Sequence, residues 1–306
     1  MAKKIVFMGT PQFSVQTLKK LVQSKYEIEC VYTQGPKRSF RGKKINPSPI
    51  HLTAKKLNLK IRTPDFLDSE KEYENFKLLE SNIVVVVAYG KIIPKKYLDL
   101  TNKLFINIHA SLLPRWRGAA PIQRAIMHKD TKSGISFMKV EEGLDSGPYM
   151  KQIEVELDNK ITSDLLSKKL SNLGAENILD CIEQIEKKEA KFINQDVSKV
   201  TYAKKISKLE SRIKWSKPAS EILSKINSLN PAPGAWFEHK GLRYKVWKAK
   251  ISDYKGKVGE VLGDKLIIGC KDKSIEILEI QKEGKKKLLI DDFLTGSKIL
   301  KGTIII

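Results

Sequence analysis

Residues 83–88, Ile-Val-Val-Val-Val-Ala, contain no polar side chain. A strand with one wet face alternates apolar and polar residues, so an unbroken apolar run of this kind predicts a strand covered on both faces. That demands a mostly parallel sheet with helices above and below it. The surrounding sequence agrees. Lys4–Gly9 is another apolar run, residues 12–24 carry helical spacing at Val15, Leu18, Leu21 and Val22, and residues 27–33 read as strand again. Strand, helix and strand at this spacing predict right-handed parallel crossovers. Helical patterns follow at 50–57 and 71–80, with a short strand at 60–63 between them and a helical turn opening at Pro94. Leu104–His109 reads as the next central strand, 122–128 as a helix, and 134–140 and 151–157 as further strands. The first turn, Gly9-Thr10-Pro11, has one glycine where a dinucleotide-binding turn has three, which argues against a nicotinamide cofactor.

The 306 residues suffice for two domains with separate cores. A long amphipathic helix spans 162–188, capped by Thr162 or Ser163, and the polar, Lys-rich stretch 189–207 reads as a linker. Beyond it the pattern changes. Residues 216–229 predict a helix with Ser216 as N-cap and Pro218 in its first turn, stopped by Asn230-Pro231-Ala232-Pro233-Gly234. Short strands follow at 235–238, 242–250, 258–262, 266–270 and 275–280, a spacing that suggests a small barrel or sandwich. Basic residues interleave there with Trp236, Tyr244 and Trp247, which favours binding over catalysis. The predicted domains are therefore 1–188 and 208–306, joined by 189–207.

The formal charge of +22 suggests a polyanionic partner. Most of that charge is Lys, in a chain also rich in Ile and Asn, so its placement matters more than its total. Residues 34–49 form a basic loop free of acids and punctuated by Gly and Pro, with Phe40, Arg41, Lys43 and Lys44 able to stack on a base and hold phosphates. The three cysteines are far apart and lack metal-ligand spacing, which predicts reduced thiols, a cytoplasmic setting and no metal site. The N-terminal residues read as a first strand, not a signal peptide, and no apolar run is long enough to span a bilayer.

Asn107 and His109 stand two apart at the end of a predicted central strand, so they share a face. Taken alone, such a pair reads as buried polar residues tied to backbone. Open parallel sheets, however, bind ligands at the carboxyl ends of their strands. Asp145 lies between two glycines in the turn after the strand at 134–140. An amide donor, an imidazole base and a carboxylate to orient it together fit acyl transfer.

At this point the residues resemble a known family. Asn107-Ile108-His109-Ala110-Ser111-Leu112-Leu113-Pro114-Arg115-Trp116-Arg117-Gly118, followed by Gly143-Leu144-Asp145-Ser146-Gly147, is similar to the folate-dependent formyltransferases. Gly9-Thr10-Pro11-Gln12-Phe13 and Val87-Ala88-Tyr89-Gly90-Lys91-Ile92-Ile93-Pro94 match the same family, with Ser146 where it often has Thr. The basic loop, Thr201-Tyr202-Ala203-Lys204, Pro233-Gly234-Ala235-Trp236-Phe237 and Gln281-Lys282-Glu283-Gly284 resemble the members that act on methionyl-tRNA. The resemblance implies 10-formyltetrahydrofolate as co-substrate and initiator methionyl-tRNA as acceptor, with Asn107, His109 and Asp145 as catalytic residues. It implies a folate pocket lined by Ser111, Leu112, Leu113 and Pro114, with Val87, Ala88, Tyr89 and Gly90 opposite, and tRNA contacts from Arg41, Lys43 and Lys44. The expected fold is α/β, with an N-terminal Rossmann-like, mostly parallel sheet covered by helices on both faces and a small C-terminal OB-like β-barrel. The expected working form is a monomer with no membrane partner. A formyltransferase for a small amine, or a formyl-folate hydrolase, would keep the three catalytic residues without a use for the basic loop and second domain; a non-catalytic RNA binder would need only the basic surface.

Overall fold

The protein was analysed as a computed structural model that describes residues 3–38, 45–297 and 299–305. The chain forms two compact units, one of residues 1–118, 134–155 and 167–202, the other of residues 119–133, 156–166 and 203–306.

The first unit is built on seven strands: β1 (Lys4–Gly9), β2 (Glu27–Tyr32), β3 (Ile61–Arg62), β4 (Ile83–Val87), β5 (Leu104–His109), β6 (Lys132–Lys139) and β7 (Tyr149–Glu156). Their order across the sheet is β7-β6-β5-β4-β1-β2-β3. Strands β1 to β5 run parallel, and β6 joins β5 antiparallel. The chain winds outward from β1 to β3 on one side and then crosses to β4 and β5 on the other. The winding direction therefore reverses between β1 and β4, where such a sheet opens a crevice at its carboxyl edge.

All of β4 is buried, as its composition requires. The helices of the chain are α1 (Val15–Val22), α2 (Pro49–Lys56), α3 (Glu70–Lys77), α4 (Lys95–Leu98), α5 (Pro121–Met127), α6 (Ser163–Glu186), α7 (Ala219–Ser228) and α8 (Ile290–Gly296). Alternate residues of the central strands, Val6, Met8, Val84, Val86 and Phe105, pack with Phe76 of α3 and Tyr97 of α4. Phe76 stacks on Phe105 with ring centroids 5.8 Å apart. The opposite face meets α6, so closely that a Cβ on Gly174 would lie 3.2 Å from Ile108 Cγ2. α2 begins at Pro49, one residue before the predicted start, because Ser48 caps it by accepting the His51 N–H at 3.0 Å. The basic loop is not wholly irregular: residues 37–38 pair antiparallel with 45–46. Phe40, Arg41, Lys43 and Lys44 lie outside the described residues.

The second unit carries an antiparallel sheet of β8 (Ala235–His239), β9 (Leu242–Ser252), β10 (Val261–Gly263), β11 (Ile267–Gly269), β12 (Ser274–Lys282) and β13 (Leu288–Leu289). The strand predicted at 258–262 is confined to Val261–Gly263. Phe237, Val246, Ile275, Ile277 and Ile280 form its core with Ile222 and Ile226 of α7 and with Ile290 and Phe293 of α8. The sequence reading missed α8, whose seven residues are too few to show a helical period.

Two other expectations need correction. Ser216 does not cap α7; the helix starts after Pro218, and the Ala219 N–H donates to Asp272 Oδ1 at 2.8 Å from a distant turn. Tyr244 is not a binding aromatic. It is 5% exposed and stacks on Phe237 at 5.4 Å, because its position on β9 faces the core. Among the described residues, no helix is long and apolar enough to cross a membrane.

Candidate active site

Strand alternation places Asn107 and His109 on the Phe105 face of β5, at the carboxyl edge of the sheet. Val86 of β4 is the register partner of Asn107, so residues 87–90 run beside the end of β5. The amide of Asn107 is half-buried and makes no hydrogen bond among the described residues. Among the described residues it is a placed donor without an acceptor.

His109 is buried, with Nε2 2.9 Å from the Trp116 carbonyl oxygen. A carbonyl only accepts, so Nε2 carries the hydrogen and donates. Nδ1 then faces Asp145 Oδ2 at 3.5 Å. That oxygen also accepts the Gly118 N–H at 2.8 Å. Nδ1 is thus the nitrogen turned towards the Asp145 carboxylate. The three residues read from the sequence as an amide, a base and an orienting acid lie together in one unit.

The loop after β5 is held by buried and half-buried polar groups. Ser136 Oγ donates to the Ser111 carbonyl at 2.7 Å and accepts the Leu113 N–H at 3.1 Å. Gln152 Nε2 donates to the Leu113 carbonyl and to Ser136 Oγ, both at 2.8 Å. Ser111 Oγ turns back to the Arg115 carbonyl at 2.6 Å. Leu113-Pro114 is cis and Trp116 has φ 63°. Ser111 and Leu113 are buried, while Leu112 and Pro114 are half-buried.

The segment after β4 is braced in the same way. Val87 O accepts from Ser14 Oγ at 2.6 Å, and Tyr89 O accepts from Thr10 Oγ1 at 2.7 Å and Gln34 Nε2 at 3.0 Å. Val87 and Tyr89 turn into the core, leaving Ala88 and Gly90 exposed. Both exposed residues adopt positive φ, 47° and 75°.

Sequence reasoning missed four supports: Ser136, Gln152, Gln195 and Thr201. The Arg117 N–H donates to Thr201 O, and the Trp116 N–H to Thr201 Oγ1, each at 2.9 Å. The one signal available was that Thr201 opens the Thr201–Lys204 motif quoted from the sequence, which named no role for it. Among the described residues, no group of three or more His, Cys, Asp or Glu side chains is arranged to hold a metal ion.

A profile of the formyl transferase family matches residues 3–182, and one of the formyl transferase C-terminal domain matches 205–298. The chain belongs to the formyl transferase family. Within that family it is 50% identical over 305 residues to a methionyl-tRNA formyltransferase of Pelagibacter ubique, an alignment covering 99% of this chain and 98% of the relative. Among solved structures, the methionyl-tRNA formyltransferase from Clostridium thermocellum shares the fold with a TM-score of 0.57 at 17% identity, covering 83% of this chain and 95% of that one. HypX from Aquifex aeolicus in complex with tetrahydrofolic acid shares it with a TM-score of 0.65 at 16% identity, covering 99% of this chain and 51% of that one. Membership of the formyl transferase family makes the chain a formyl-transferring enzyme.

Proposed function

We propose that the chain transfers the formyl group of 10-formyltetrahydrofolate to the α-amine of methionine on initiator methionyl-tRNA. What carries this reading is that the likeness to a methionyl-tRNA formyltransferase runs through both units at 50% identity. The uncommitted Asn107 amide beside the His109–Asp145 pair supports the chemistry.

The folate supplies the formyl carbon, which passes from its N10 to the amine nitrogen while the proton lost by the amine ends on N10. Asn107 donates a hydrogen bond where the formyl oxygen gains negative charge. The His109–Asp145 pair takes up the amine proton on its way to N10, and the Asp145 carboxylate balances the charge this places on the ring. The Trp116 carbonyl fixes the other nitrogen, so the ring cannot present the wrong edge. The bends at 88–90 and 113–116 form the pocket walls, presenting backbone polar groups suited to the planar donor–acceptor edge of a pterin. Arg41, Lys43 and Lys44 contact tRNA phosphates, and the second unit holds the stem. On this reading the catalytic domain is 1–188, the tRNA-binding domain 208–306, and the chain works as a cytoplasmic monomer.

The test is incubation with 10-formyltetrahydrofolate and charged initiator tRNA, followed by detection of formyl-methionine. Formylation of a small amine in its place, or release of formate alone, would sink the tRNA reading.

A further inference from the structure

Gln195 lies in the stretch that reads from sequence as a linker, yet it is 8% exposed and its amide is fully engaged. Nε2 donates to the Asp145 carbonyl at 2.8 Å and to the Gly147 carbonyl at 2.7 Å. Oε1 accepts from Nε of Arg117 at 2.9 Å, and Arg117 is itself buried. Two amide donors thus grip the backbone on either side of Ser146, and the acceptor is held by a guanidinium.

The gripped backbone is an unusual one. Asp145 has φ 46°, a region that non-glycine residues rarely adopt. A Cβ on Gly147 would fall on the Lys139 carbonyl oxygen, so the turn presses against β6. Such a conformation persists only where its surroundings over-determine it. Left alone, a turn between Gly143 and Gly147 has many other conformations, most of which carry the Asp145 carboxylate away from His109.

We propose that Gln195 is a positioning residue for formyl transfer: backed by Arg117, it clamps the carbonyls of Asp145 and Gly147 and thereby holds the Asp145 carboxylate on His109 Nδ1. The inference rests on the catalytic roles proposed above for His109 and Asp145. The residue type is specific. Asn is one methylene short, Glu has no donor for the two carbonyls, and Lys has no acceptor for Arg117.

The test is a double-mutant cycle on kcat for formylation of methionyl-tRNA, using Gln195→Glu and Asp145→Asn. Gln195→Glu keeps volume and the acceptor for Arg117 but sets an oxygen against two carbonyl oxygens. The expected result is a fall in kcat of about tenfold or more, with KM for both substrates within about twofold, because misplacing a reacting group costs turnover before binding. In the Asp145→Asn background the same change costs less than about twofold, since there is no carboxylate left to place. Gln195→Ala, which opens a gap for water at the two carbonyls, repeats the measurement should Gln195→Glu fold poorly. A tenfold loss of the same size in both backgrounds overturns the inference, as does wild-type kcat for either Gln195 variant. An Asp145→Asn enzyme with undiminished kcat overturns the underlying catalytic reading, and this inference falls with it for that separate reason.

Discussion

The two units use backbone strain differently. In the first unit, Asn58 and Lys188 have positive φ just past helix ends, where chains commonly leave a helix through that conformation. The other non-glycine residues with positive φ in that unit are Ala88, Trp116 and Asp145, and all three stand at the carboxyl edge of the sheet beside Asn107 and His109. In the second unit, Lys129 likewise follows the end of α5, while Lys240 and Leu266 sit in connections between adjacent antiparallel strands. Helix ends aside, one unit spends strained backbone on aiming polar groups and the other on turning strands round.

Polar satisfaction divides the same way. At the first unit's sheet edge, buried Ser136 and Gln195 and half-buried Gln152 each bond backbone carbonyls of site loops. The second unit's core is built of apolar side chains and stacked rings, and its buried Ser163, Asn227 and Ser274 bond the carbonyls of Asn230, Asn159 and Ser252, away from the site loops. Damage to the first unit should therefore appear in turnover, and damage to the second in stability. The largest expected effect is His109→Ala or Asp145→Ala, which should lower kcat about 10²–10⁴-fold, the usual worth of general acid–base help, in a steady-state formylation assay. Methionyl-tRNA binding should be unchanged, and near-normal turnover in either variant would break the comparison.

Asn107→Ala comes next, with an expected loss of about 10²–10³ in kcat, the cost of one oxyanion donor. Because the side-chain amide bonds no group among the described residues, its removal should leave the melting temperature close to wild type; a large drop would show a structural role. The converse experiment is Ile277→Ala in the core of the second unit, fully buried on β12. Denaturant unfolding should show a loss of about 2–5 kcal/mol while kcat stays near wild type.

The smallest effect sharpens the contrast from the second unit's side. Asp272 accepts the Ala219 N–H at the start of α7, and that bond, ahead of its other contacts, holds the carboxyl below the ordinary carboxylate range. Its contribution is therefore present above that ordinary range and is lost as pH falls through the depressed one. Asp272→Ala should cost less than about 1 kcal/mol at neutral pH, the usual worth of a helix cap reduced by the solvent around this exposed carboxylate, and should flatten the acid side of the thermal stability profile. A variant whose melting curve tracks wild type at every pH would show that the cap carries no stability.

Patterning and local chemistry made much of this molecule legible in one dimension. The Val-rich β4 announced a sheet covered on both faces, and the spacing around it announced parallel crossovers. Asn107 and His109 could be placed on one face at a strand end because alternation is a local property of extended chain. The resemblance quoted for Asn107–Gly118 and Gly143–Gly147 supplied the reaction, because a family's motif carries the residue types its chemistry needs. Less was legible in the second unit, where short strands and the seven residues of α8 show too few periods to separate one element from another.

The sequence by itself determined which stretches are buried, which way the central strands run and which side chains stand at their ends. Those follow from side-chain periodicity and composition, acting over a few residues. Only the tertiary structure decided that Asp272 caps a helix begun 53 residues earlier, that Tyr244 is core, and that Gln195 holds Asp145 from 50 residues away. A buried hydrogen bond is chosen by which groups the fold brings within reach of one another, and that proximity leaves no period in the chain for a reader to find.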